Sequence, residues 1–382
     1  MADHRSLNRQ AEQAAIRLAM RHPRQALILL GVLGLVLLGY YLWTHWPRSQ
    51  HPTTGPTVDG KPAAVLLCAW NAENFFDDQD DPNVHDEMED WFGSNPVMFR
   101  AKVDHLAEGL LLMNGGAGPD VACLCEVENE RCLEALRDAL NARLAASVFA
   151  DRKYTHILFK GDKTGRHFAP GILTRLGVFT DRTRKLNNHN GRILEGHIEQ
   201  NGYELVVIAA HWTSRVSDKS DDGHRRLSYA KDCYGRVKAI LREEPDADVV
   251  VCGDFNDEFK DESLRVGLKV TENVEAVRSS IDEPRLLDLF AHWSGDPKGT
   301  IYSGRNKWSV FDHICVTRGL LDDKGWSCDP TTAKIFAADE LRRRSGAREP
   351  LKFGGRNESG TRGYSDHFPV TVQLQVAGAN GP

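Results

Sequence analysis

Short runs of apolar residues recur along the chain after residue 62, and some are separated by longer segments whose apolar positions follow a helical period. Short apolar runs bounded by turn-forming residues are typical of buried β-strands, whereas apolar positions three or four residues apart predict helices. The predicted helices lie at 98–113, 130–144 and 225–242. The predicted strands lie at 64–70, 121–126, 154–159, 171–176, 193–199, 205–210, 249–253, 313–317 and 370–376.

This order of elements predicts a single α/β domain over residues 63–376, followed by a short tail at 377–382. The strands outnumber the helices, and the sequence shows no internal repeat. A regular doubly wound fold needs a helix between most successive strands. The pattern therefore favours two packed β-sheets flanked by helices.

The hydropathy pattern of residues 1–62 differs from that of the domain. Residues 26–43 are uncharged and almost wholly apolar, close to the ~20 residues that cross a bilayer. We therefore expect a cytoplasmic segment at 1–25, one transmembrane anchor at 26–46 and a polar linker at 47–62. Arginine is frequent before the apolar segment and sparse after it, which predicts an extracytoplasmic domain, periplasmic or extracellular. A cleaved signal peptide is the alternative.

The charge balance narrows the function classes. The chain carries 48 Lys and Arg against 54 Asp and Glu, and six of the Arg lie in residues 1–50. The domain is therefore more acidic than the whole chain, which counts against an architectural protein that binds duplex nucleic acid through a basic surface. An enzyme whose carboxylates face a cation stays compatible with this charge.

The eight cysteines show no Cys-x-x-Cys spacing, so a thiolate zinc site is not expected. Most of them fall within predicted strands, where a thiol behaves as a small apolar side chain. These are Cys68, Cys123, Cys125, Cys252 and Cys315. Disulfide pairing among Cys132, Cys233 and Cys328 stays open at this point.

Polar side chains of catalytic type follow or end four of the apolar runs. Asn71 follows the first, Glu126 ends the second, His211 follows the third, and Asp254 with Asn256 follows the fourth. Residues that leave a strand at the edge of a sheet often carry function. Each of them alone also has a structural reading, as a turn former, an edge charge or a buried histidine with satisfied hydrogen bonds.

Two Asp-His pairs near the end of the chain change this balance. Asp312-His313 lies in the run Phe-Asp-His-Ile, and Asp366-His367 lies in the run Ser-Asp-His-Phe-Pro. With the four strand ends, and in this order, the chain resembles the endonuclease/exonuclease/phosphatase superfamily over roughly residues 63–376. The resemblance implies a deoxyribonuclease-like four-layer α/β sandwich and the hydrolysis of phosphate esters.

One bacterial branch of this superfamily is more closely similar. Its opening Asn-Val-Glu-Asn-Leu-Phe-Asp motif and the acidic loop after it correspond to Asn71-Ala-Glu-Asn-Phe-Phe-Asp77 and the aspartates that follow. Its Glu-Val-Glu-Asn motif matches residues 126–129, and its His-Trp-Pro-Ser-Arg motif matches residues 211–215 with Thr for Pro. Gly-Asp-Phe-Asn-Asp at 253–257 also agrees. The branch's Asp-x-Arg-Gly element is matched only in part, at residues 163–167.

Hydrolysis of a phosphodiester needs positive charge on the non-bridging oxygens, an activated water and stabilisation of the leaving oxygen. We predict that Glu126, Asn71 and Asp366 hold the cation. Their oxygen ligands suit Mg²⁺ better than Zn²⁺, with Mn²⁺ as an alternative. By resemblance, Mg²⁺ is the expected cofactor.

The remaining site residues are assigned to proton transfer and to charge stabilisation. His367 is the predicted general base, and Asp312 is predicted to fix its tautomer, which is the usual pairing in this superfamily. Asp254 is expected to orient the attacking water or to bind the metal. Asn256 and His211 are expected to donate hydrogen bonds to the phosphoryl oxygens.

Four further features keep two interpretations each, and His313 keeps one. Arg215 and Arg225 are predicted phosphate contacts, with a surface role as the alternative for each. The acidic run at 77–90 is read as a solvated loop, with a second cation site as the alternative. His313 points to the opposite face of a strand from Asp312 and is expected to be structural. Trp212 either packs or stacks on a base.

Three functions stay open. The first is an extracytoplasmic endonuclease or exonuclease acting on DNA or RNA. The second is a phosphodiesterase or phosphatase acting on phospholipid, sphingomyelin or inositol phosphate, suggested by the expected anchor and the acidic domain. The third is a membrane-tethered binding module without catalysis. No obligate protein partner is evident from the sequence.

Overall fold

The computed structural model describes residues 63–161, 165–186, 191–216, 222–304, 307–358 and 360–378. The expected cytoplasmic segment, membrane anchor and linker at 1–62 lie outside the described residues, as does most of the expected tail. Within the described ranges, no helix is both long and apolar enough to cross a membrane.

The described residues form strands and α-helices that we number in chain order. The strands are β1 (Ala63–Phe75), β2 (Val121–Val127), β3 (His156–Phe159), β4 (Ala169–Thr174), β5 (Gly177–Val178), β6 (Arg184–Lys185), β7 (Ile193–Gln200), β8 (Tyr203–His211), β9 (Val249–Asp254), β10 (Val270–Thr271), β11 (Leu286–Asp288), β12 (Ile301–Tyr302), β13 (Trp308–Ser309), β14 (Asp312–Val316), β15 (Trp326–Cys328), β16 (Lys334–Ile335) and β17 (Val370–Val376). The α-helices are α1 (Glu87–Gly93), α2 (Pro96–Leu111), α3 (Glu130–Ala145), α4 (His224–Glu243) and α5 (Val274–Arg278).

The strands form two large mixed sheets and one small hairpin. The first sheet has seven strands in the order β15-β17-β1-β2-β4-β3, with β16 also paired to β17. The second has eight strands in the order β10-β11-β14-β9-β8-β7-β5, with β6 also paired to β7. Strands β12 and β13 form the hairpin. Two mixed sheets flanked by helices confirm the fold class expected from the pattern.

The inner faces of the two sheets share one hydrophobic core. Leu67 and Leu124 of the first sheet and Val207, Cys252 and Ile314 of the second belong to the same buried cluster. Burying an aliphatic side chain of this size contributes about 1.5–3 kcal/mol relative to leaving it exposed. The apolar runs seen in the sequence therefore are the central strands of both sheets.

The helices cover the outer faces. Helices α2 and α3 pack against the first sheet, and α4 packs on the second, where Val237 joins a second buried cluster with Val249 and Val251. Helix α3 begins directly after β2, because the Asn129 side chain accepts a hydrogen bond from the Cys132 amide and caps the helix. The last residue of the Glu-Val-Glu-Asn motif thus has a structural task.

The predicted long elements agree with the structure within a few residues, and β17 matches its predicted limits. Strand β1 extends to Phe75, five residues beyond the predicted end. Eight short strands of two or three residues, among them both strands of the hairpin, were not predicted, because so few residues carry no periodicity. All eight cysteines are buried and unpaired, including the three left open by the sequence.

Candidate active site

Three neighbouring strands of the second sheet place three predicted site residues side by side. His211 ends β8, Asp254 ends β9 and Asp312 begins β14, and the pairing register sets Asp254 opposite both of the others. Gly253 permits this arrangement, because a Cβ atom there would lie 2.0 Å from the Ala210 carbonyl oxygen. The glycine of the Gly-Asp-Phe-Asn motif therefore has a steric reason.

The backbone departs from regular strand geometry where the site residues lie. The register between β1 and β2 shifts between Asn71 and Phe75. Asn74, Glu126 and Asn256 have left-handed backbone angles, with φ of 55°, 59° and 54°. Such angles are uncommon for residues other than glycine, and strained positions cluster at functional sites. All three lie within or directly beside the predicted site.

His367 and Asp312 form a buried hydrogen-bonded pair. Nδ1 of His367 lies 2.7 Å from Oδ2 of Asp312. Burial alone lowers the pKa of His367, but the charges of Asp312 and Asp254 outweigh it and raise the pKa well above its usual value. Nε2 faces Oδ2 of Asp254 at 3.9 Å, beyond hydrogen-bonding distance. The ring is thus fixed through one nitrogen and presents the other to the site.

Asp254 lies at the centre of the cluster. Its Oδ2 accepts hydrogen bonds from Nδ2 of Asn71 at 2.9 Å and from Nδ2 of Asn256 at 3.0 Å, and lies 3.7 Å from Nε2 of His211. Burial raises the pKa of Asp254 to about 7, because the opposing charge of His367 offsets only part of the effect. Neutral amides therefore orient this carboxylate without neutralising its charge.

His211 is held as a neutral imidazole. Burial, together with the charge of Arg192, lowers its pKa to about 3. Nη1 of Arg192 lies 3.4 Å from Nδ1 of His211, and a guanidinium can only donate, so Nδ1 accepts and Nε2 carries the hydrogen. Nε2 lies 3.8 Å from Glu126 and 3.7 Å from Asp254. A hydrogen-bond donor therefore points at the space between the two carboxylates.

The polar groups of Asn256 and Arg215 are engaged by other parts of the protein. Nδ2 of Asn256 also donates to the Trp212 carbonyl oxygen at 3.1 Å, so both of its amide hydrogens are engaged by the protein. Arg215 donates to the Asn256 carbonyl oxygen at 2.9 Å and pairs with Asp257 at 2.9 Å. It thereby ties down the loop after β9. Arg225 lies exposed in the first turn of α4.

His313 and Trp212 lie beneath the site in the core. Nδ1 of His313 lies 3.0 Å from Oδ2 of Asp288, on the side of β14 away from Asp312. The Phe255 ring stacks on Trp212 at 4.2 Å and on His313 at 5.5 Å. Trp212 is fully buried, which agrees with the packing alternative for this residue.

Lys102 is a residue near the site that no sequence motif marks. It is fully buried, and its Nζ donates to the Tyr364 carbonyl oxygen at 2.9 Å. Burial lowers its pKa to about 8, and the charges of Glu73 and Asp366 oppose this change. The only signal in the sequence is a lysine on the apolar face of α2, three residues after Phe99.

Arg166 is a second residue near the site. It belongs to the partly matched segment at 163–167, and its Nη2 donates to Oδ1 of Asn74 at 2.7 Å. The Asn74 amide in turn donates to Oε2 of Glu126 at 2.7 Å. An arginine of that segment therefore reaches the site even though the motif around it is incomplete.

Comparison with known proteins decides the family. A family model described as Endonuclease/Exonuclease/phosphatase family matches residues 66–376. The chain belongs to this family. No curated protein matches the chain in sequence.

Several solved structures resemble this member of the endonuclease/exonuclease/phosphatase family. Truncated TDP2 from Caenorhabditis elegans is 16% identical over 82% of this chain and 98% of its own, with a TM-score of 0.46. A mannosyl-6-phosphatase from Bacteroides thetaiotaomicron is 16% identical over 81% and 99%, with a TM-score of 0.48. A beta toxin variant from Staphylococcus aureus with bound magnesium ions is 12% identical over 81% and 99%, with a TM-score of 0.48.

The donor set at the site of this family member fits a divalent cation of the Mg²⁺ type. Oε1 of Glu126 accepts a hydrogen bond from Nδ2 of Asn71 at 3.2 Å, which fixes the carboxylate at the end of β2. Burial raises the pKa of Asp366, and the charge of Glu126 adds to this against the opposing charge of His367. Glu126 and Asp366 are half-buried carboxylates that repel each other, and they offer the hard oxygen ligands that Mg²⁺ and Mn²⁺ prefer. Asn71 was predicted as a third ligand, but its Oδ1 accepts the Glu73 amide at 2.9 Å and its Nδ2 faces Glu126.

A second group of potential ligands has a different explanation. One ligand atom each of Asp254, Asp312 and His367 lies within 4.8 Å of the others. The hydrogen bond between His367 and Asp312 already uses Nδ1 of the imidazole. The closeness of this group therefore follows from the histidine–carboxylate pair, and Glu126 and Asp366 stay the predicted metal ligands.

Proposed function

We propose that this chain hydrolyses phosphate esters with the help of Mg²⁺ or Mn²⁺ and that its substrate is nucleic acid. One observation carries the proposal. The hydrogen-bonded pair of His367 and Asp312, the carboxylate of Asp254 and the neutral donor of His211 converge on one buried centre beside Glu126. This arrangement supplies a base, an orienting carboxylate, a donor and a cation ligand within one small space.

His367 takes a proton from the attacking water in this proposal. Its Nε2 is the nitrogen that faces the site, and Asp312 stabilises the imidazolium that results. The charges of Asp312 and Asp254 hold the pKa of His367 above its usual value, and a cation held by Glu126 and Asp366 would lower it by offsetting negative charge. Asp254 orients the water by accepting its second hydrogen bond.

The remaining residues stabilise the charge that develops on the phosphoryl group. Bound Mg²⁺ would polarise a non-bridging oxygen and offset its negative charge. Nε2 of His211 donates a hydrogen bond to such an oxygen without adding a charge of its own. Asn71 orients both Glu126 and Asp254 through its Nδ2. Asn256 acts indirectly, because its Nδ2 donates a hydrogen bond to Asp254.

A cavity beside the site favours nucleic acid over a lipid. It has a volume of about 590 Å³. Its lining includes Glu258, two residues after Asn256, and Val310, two residues before Asp312. Aromatic and basic side chains line it, together with Glu258 and Glu272, which pair with Lys260 and His292. The aromatic residues are Phe259, Phe290, Trp293 and Trp308, and the basic residues are Lys260, Arg265 and Lys298. Aromatic faces stack on bases and cations contact phosphates, whereas acyl chains need an apolar lining.

Three finer assignments belong to the same proposal and rest on the sequence. We place the chain in the bacterial branch defined by the Asn71–Asp77 motif, with a catalytic domain at 63–376. We place this domain outside the cytoplasm, behind a membrane anchor at 26–46. Arg225 is kept as a phosphate contact, because it lies exposed on α4, whereas Arg215 holds the loop after β9.

The test is a substrate panel with the full chain in mild detergent and Mg²⁺. Single-stranded and double-stranded DNA and RNA form one arm, and sphingomyelin, phospholipid and inositol phosphates form the other. We expect cleavage of nucleic acid that stops in EDTA and returns with Mg²⁺ or Mn²⁺. Intact nucleic acid with release of phosphate or phosphocholine would instead establish the lipid or inositol-phosphate function. No turnover of either arm, or of bis-p-nitrophenyl phosphate, would leave a binding module.

A further inference from the structure

The acidic run at 77–90 contains eight Asp and Glu residues and no Lys or Arg. Basic side chains from other parts of the chain reach half of them. The pairs are Arg131 with Asp77 and Asp78, His167 with Asp81, and Arg166 with Asp86. Basic side chains of the protein therefore neutralise part of the negative charge of this run.

Asp80, Glu89 and Asp90 form a separate group within this run. One carboxylate oxygen of each lies within 4.8 Å of the other two. No ion pair joins any of the three to a basic side chain in the part of the chain that the structure describes. Helix α1 supplies two of the carboxylates, and the loop before it supplies the third. The three negative charges thus face one another without a cation.

Glu89 distinguishes this group from an ordinary acidic surface. The residue is 1% exposed, and its Oε1 accepts the Asp81 amide at 2.7 Å. Its Oε2 is buried and has no hydrogen-bond partner among the described residues. A buried carboxylate oxygen without a partner is costly, and the charges of Asp80 and Asp90 beside it add to that cost. Such an oxygen is explained when a cation completes the site.

We propose that Asp80, Glu89 and Asp90 bind a calcium ion, separate from the catalytic cation. All the ligands are carboxylate oxygens, which favour calcium, magnesium or manganese over zinc or copper. Their mutual separation of up to 4.8 Å is about twice a calcium–oxygen distance, so the ion fits without a large shift of the side chains. Mg²⁺ needs shorter bonds and stricter octahedral geometry. Asp80 and Asp90 are exposed, which leaves room for water ligands.

Calcium at this position would order the loop that supports the catalytic edge. The Asp77 amide donates to Oε2 of Glu128 at 2.8 Å, two residues beyond Glu126. Arg166 links Asp86 of the same run to Asn74, whose amide donates to Glu126. The ion is therefore a stabilising element near the site and takes no part in the reaction.

Terbium luminescence tests the proposal on the full chain. Tb³⁺ replaces Ca²⁺ in oxygen sites and emits when a nearby tryptophan is excited, and Trp91 directly follows Asp90. With Mg²⁺ in excess to occupy the proposed catalytic site, we expect saturable emission that Ca²⁺ displaces. We also expect Ca²⁺ at about ten times Kd, or about 10 mM for a site of millimolar affinity, to raise Tm by about 2 °C. The double variant Asp80→Asn with Asp90→Asn should lose both responses, and its exposed positions should leave the fold intact.

Two control variants separate this site from its surroundings. Glu87→Gln removes an exposed carboxylate of the same helix outside the group and should keep the emission. Glu126→Gln removes the proposed catalytic ligand and should also keep it, so the outcome does not depend on the proposed hydrolysis. Emission that survives in the Asp80→Asn/Asp90→Asn variant, or disappears in Glu126→Gln, would overturn the calcium site.

Discussion

A buried histidine lies between carboxylates in two regions of this molecule, and the two regions differ in how their charges are balanced. The first, here called the His197 cluster, consists of His197, Glu195, Glu204, Arg182 and Arg236. Both ring nitrogens of His197 are engaged, Nε2 with Glu195 at 2.8 Å and Nδ1 with Glu204 at 2.5 Å. At the candidate site His367 engages only Nδ1.

The pKa values of the carboxylates show the same contrast. Burial would raise the pKa of Glu195, but hydrogen bonds from His197 and Arg236 lower it to about 2. Burial raises the pKa of Asp254 to about 7, since amides surround it and His367 offsets only part of the effect. The His197 cluster therefore contains its own cations, whereas the candidate site leaves negative charge for a cation from outside.

The largest expected effect comes from removing the side chain of His367, whose Nε2 faces the site. His367→Ala should lower kcat by on the order of 10³ or more, because the base is lost while the bound cation and His211 stay in place. The measurement is phosphodiester turnover under saturating Mg²⁺, with Tm as a check on folding. His156→Ala, on β3 at the edge of the first sheet, is the matched control and should keep wild-type turnover. Activity near wild type in His367→Ala would exclude it as the base.

This contrast shows which parts of the molecule the sequence could predict. The long central strands and the residues at their ends were predicted, because apolar runs and the polar residues after them are local features. The state of each side chain was not, since it depends on distant partners. The contact with Arg192 places the ring hydrogen of His211 on Nε2, and the Trp212 carbonyl oxygen accepts a hydrogen bond from the Asn256 amide. Lys102 likewise contacts a carbonyl more than 200 residues away.

The second prediction concerns a substitution that removes one charge from the His197 cluster. Glu195→Gln removes the charge that pairs with Arg236 in a position that is 0% exposed, and it leaves His197 with Glu204 as its one remaining carboxylate partner in the cluster. We expect the free energy of unfolding to fall by about 3 kcal/mol, as for the loss of one partner from a buried ion pair. Urea unfolding at neutral pH measures this change. If kcat of the folded fraction falls as well, the His197 cluster is not independent of the site.

A third prediction concerns the neutral donor of the candidate site. His211→Ala removes the Nε2 hydrogen that points between Glu126 and Asp254, and should lower kcat by about 10², typical for one lost donor to a developing oxyanion. His211→Asn should restore part of this rate, because an amide can also donate. Equal losses in kcat for the alanine and asparagine variants, or a change confined to KM, would contradict a donor role in the transition state.

The smallest expected effect is the pH dependence of the stability that the His197 cluster contributes. Burial lowers the pKa of His197, but hydrogen bonds to Glu195 and Glu204 outweigh burial and raise it above its unfolded value of 6.5. Its contribution to stability is therefore fully present below pH 6.5 and is lost as the pH rises through the folded pKa. The Glu195 contribution is complete above its unfolded pKa of 4.5 and is lost only as the pH falls towards 2. His197→Gln should thus destabilise the fold on the order of 1 kcal/mol more at about pH 5.5 than at about pH 9. Unfolding of both proteins by urea at the two pH values measures the difference, and an effect of the same size at both would mean that folding does not raise the pKa of His197.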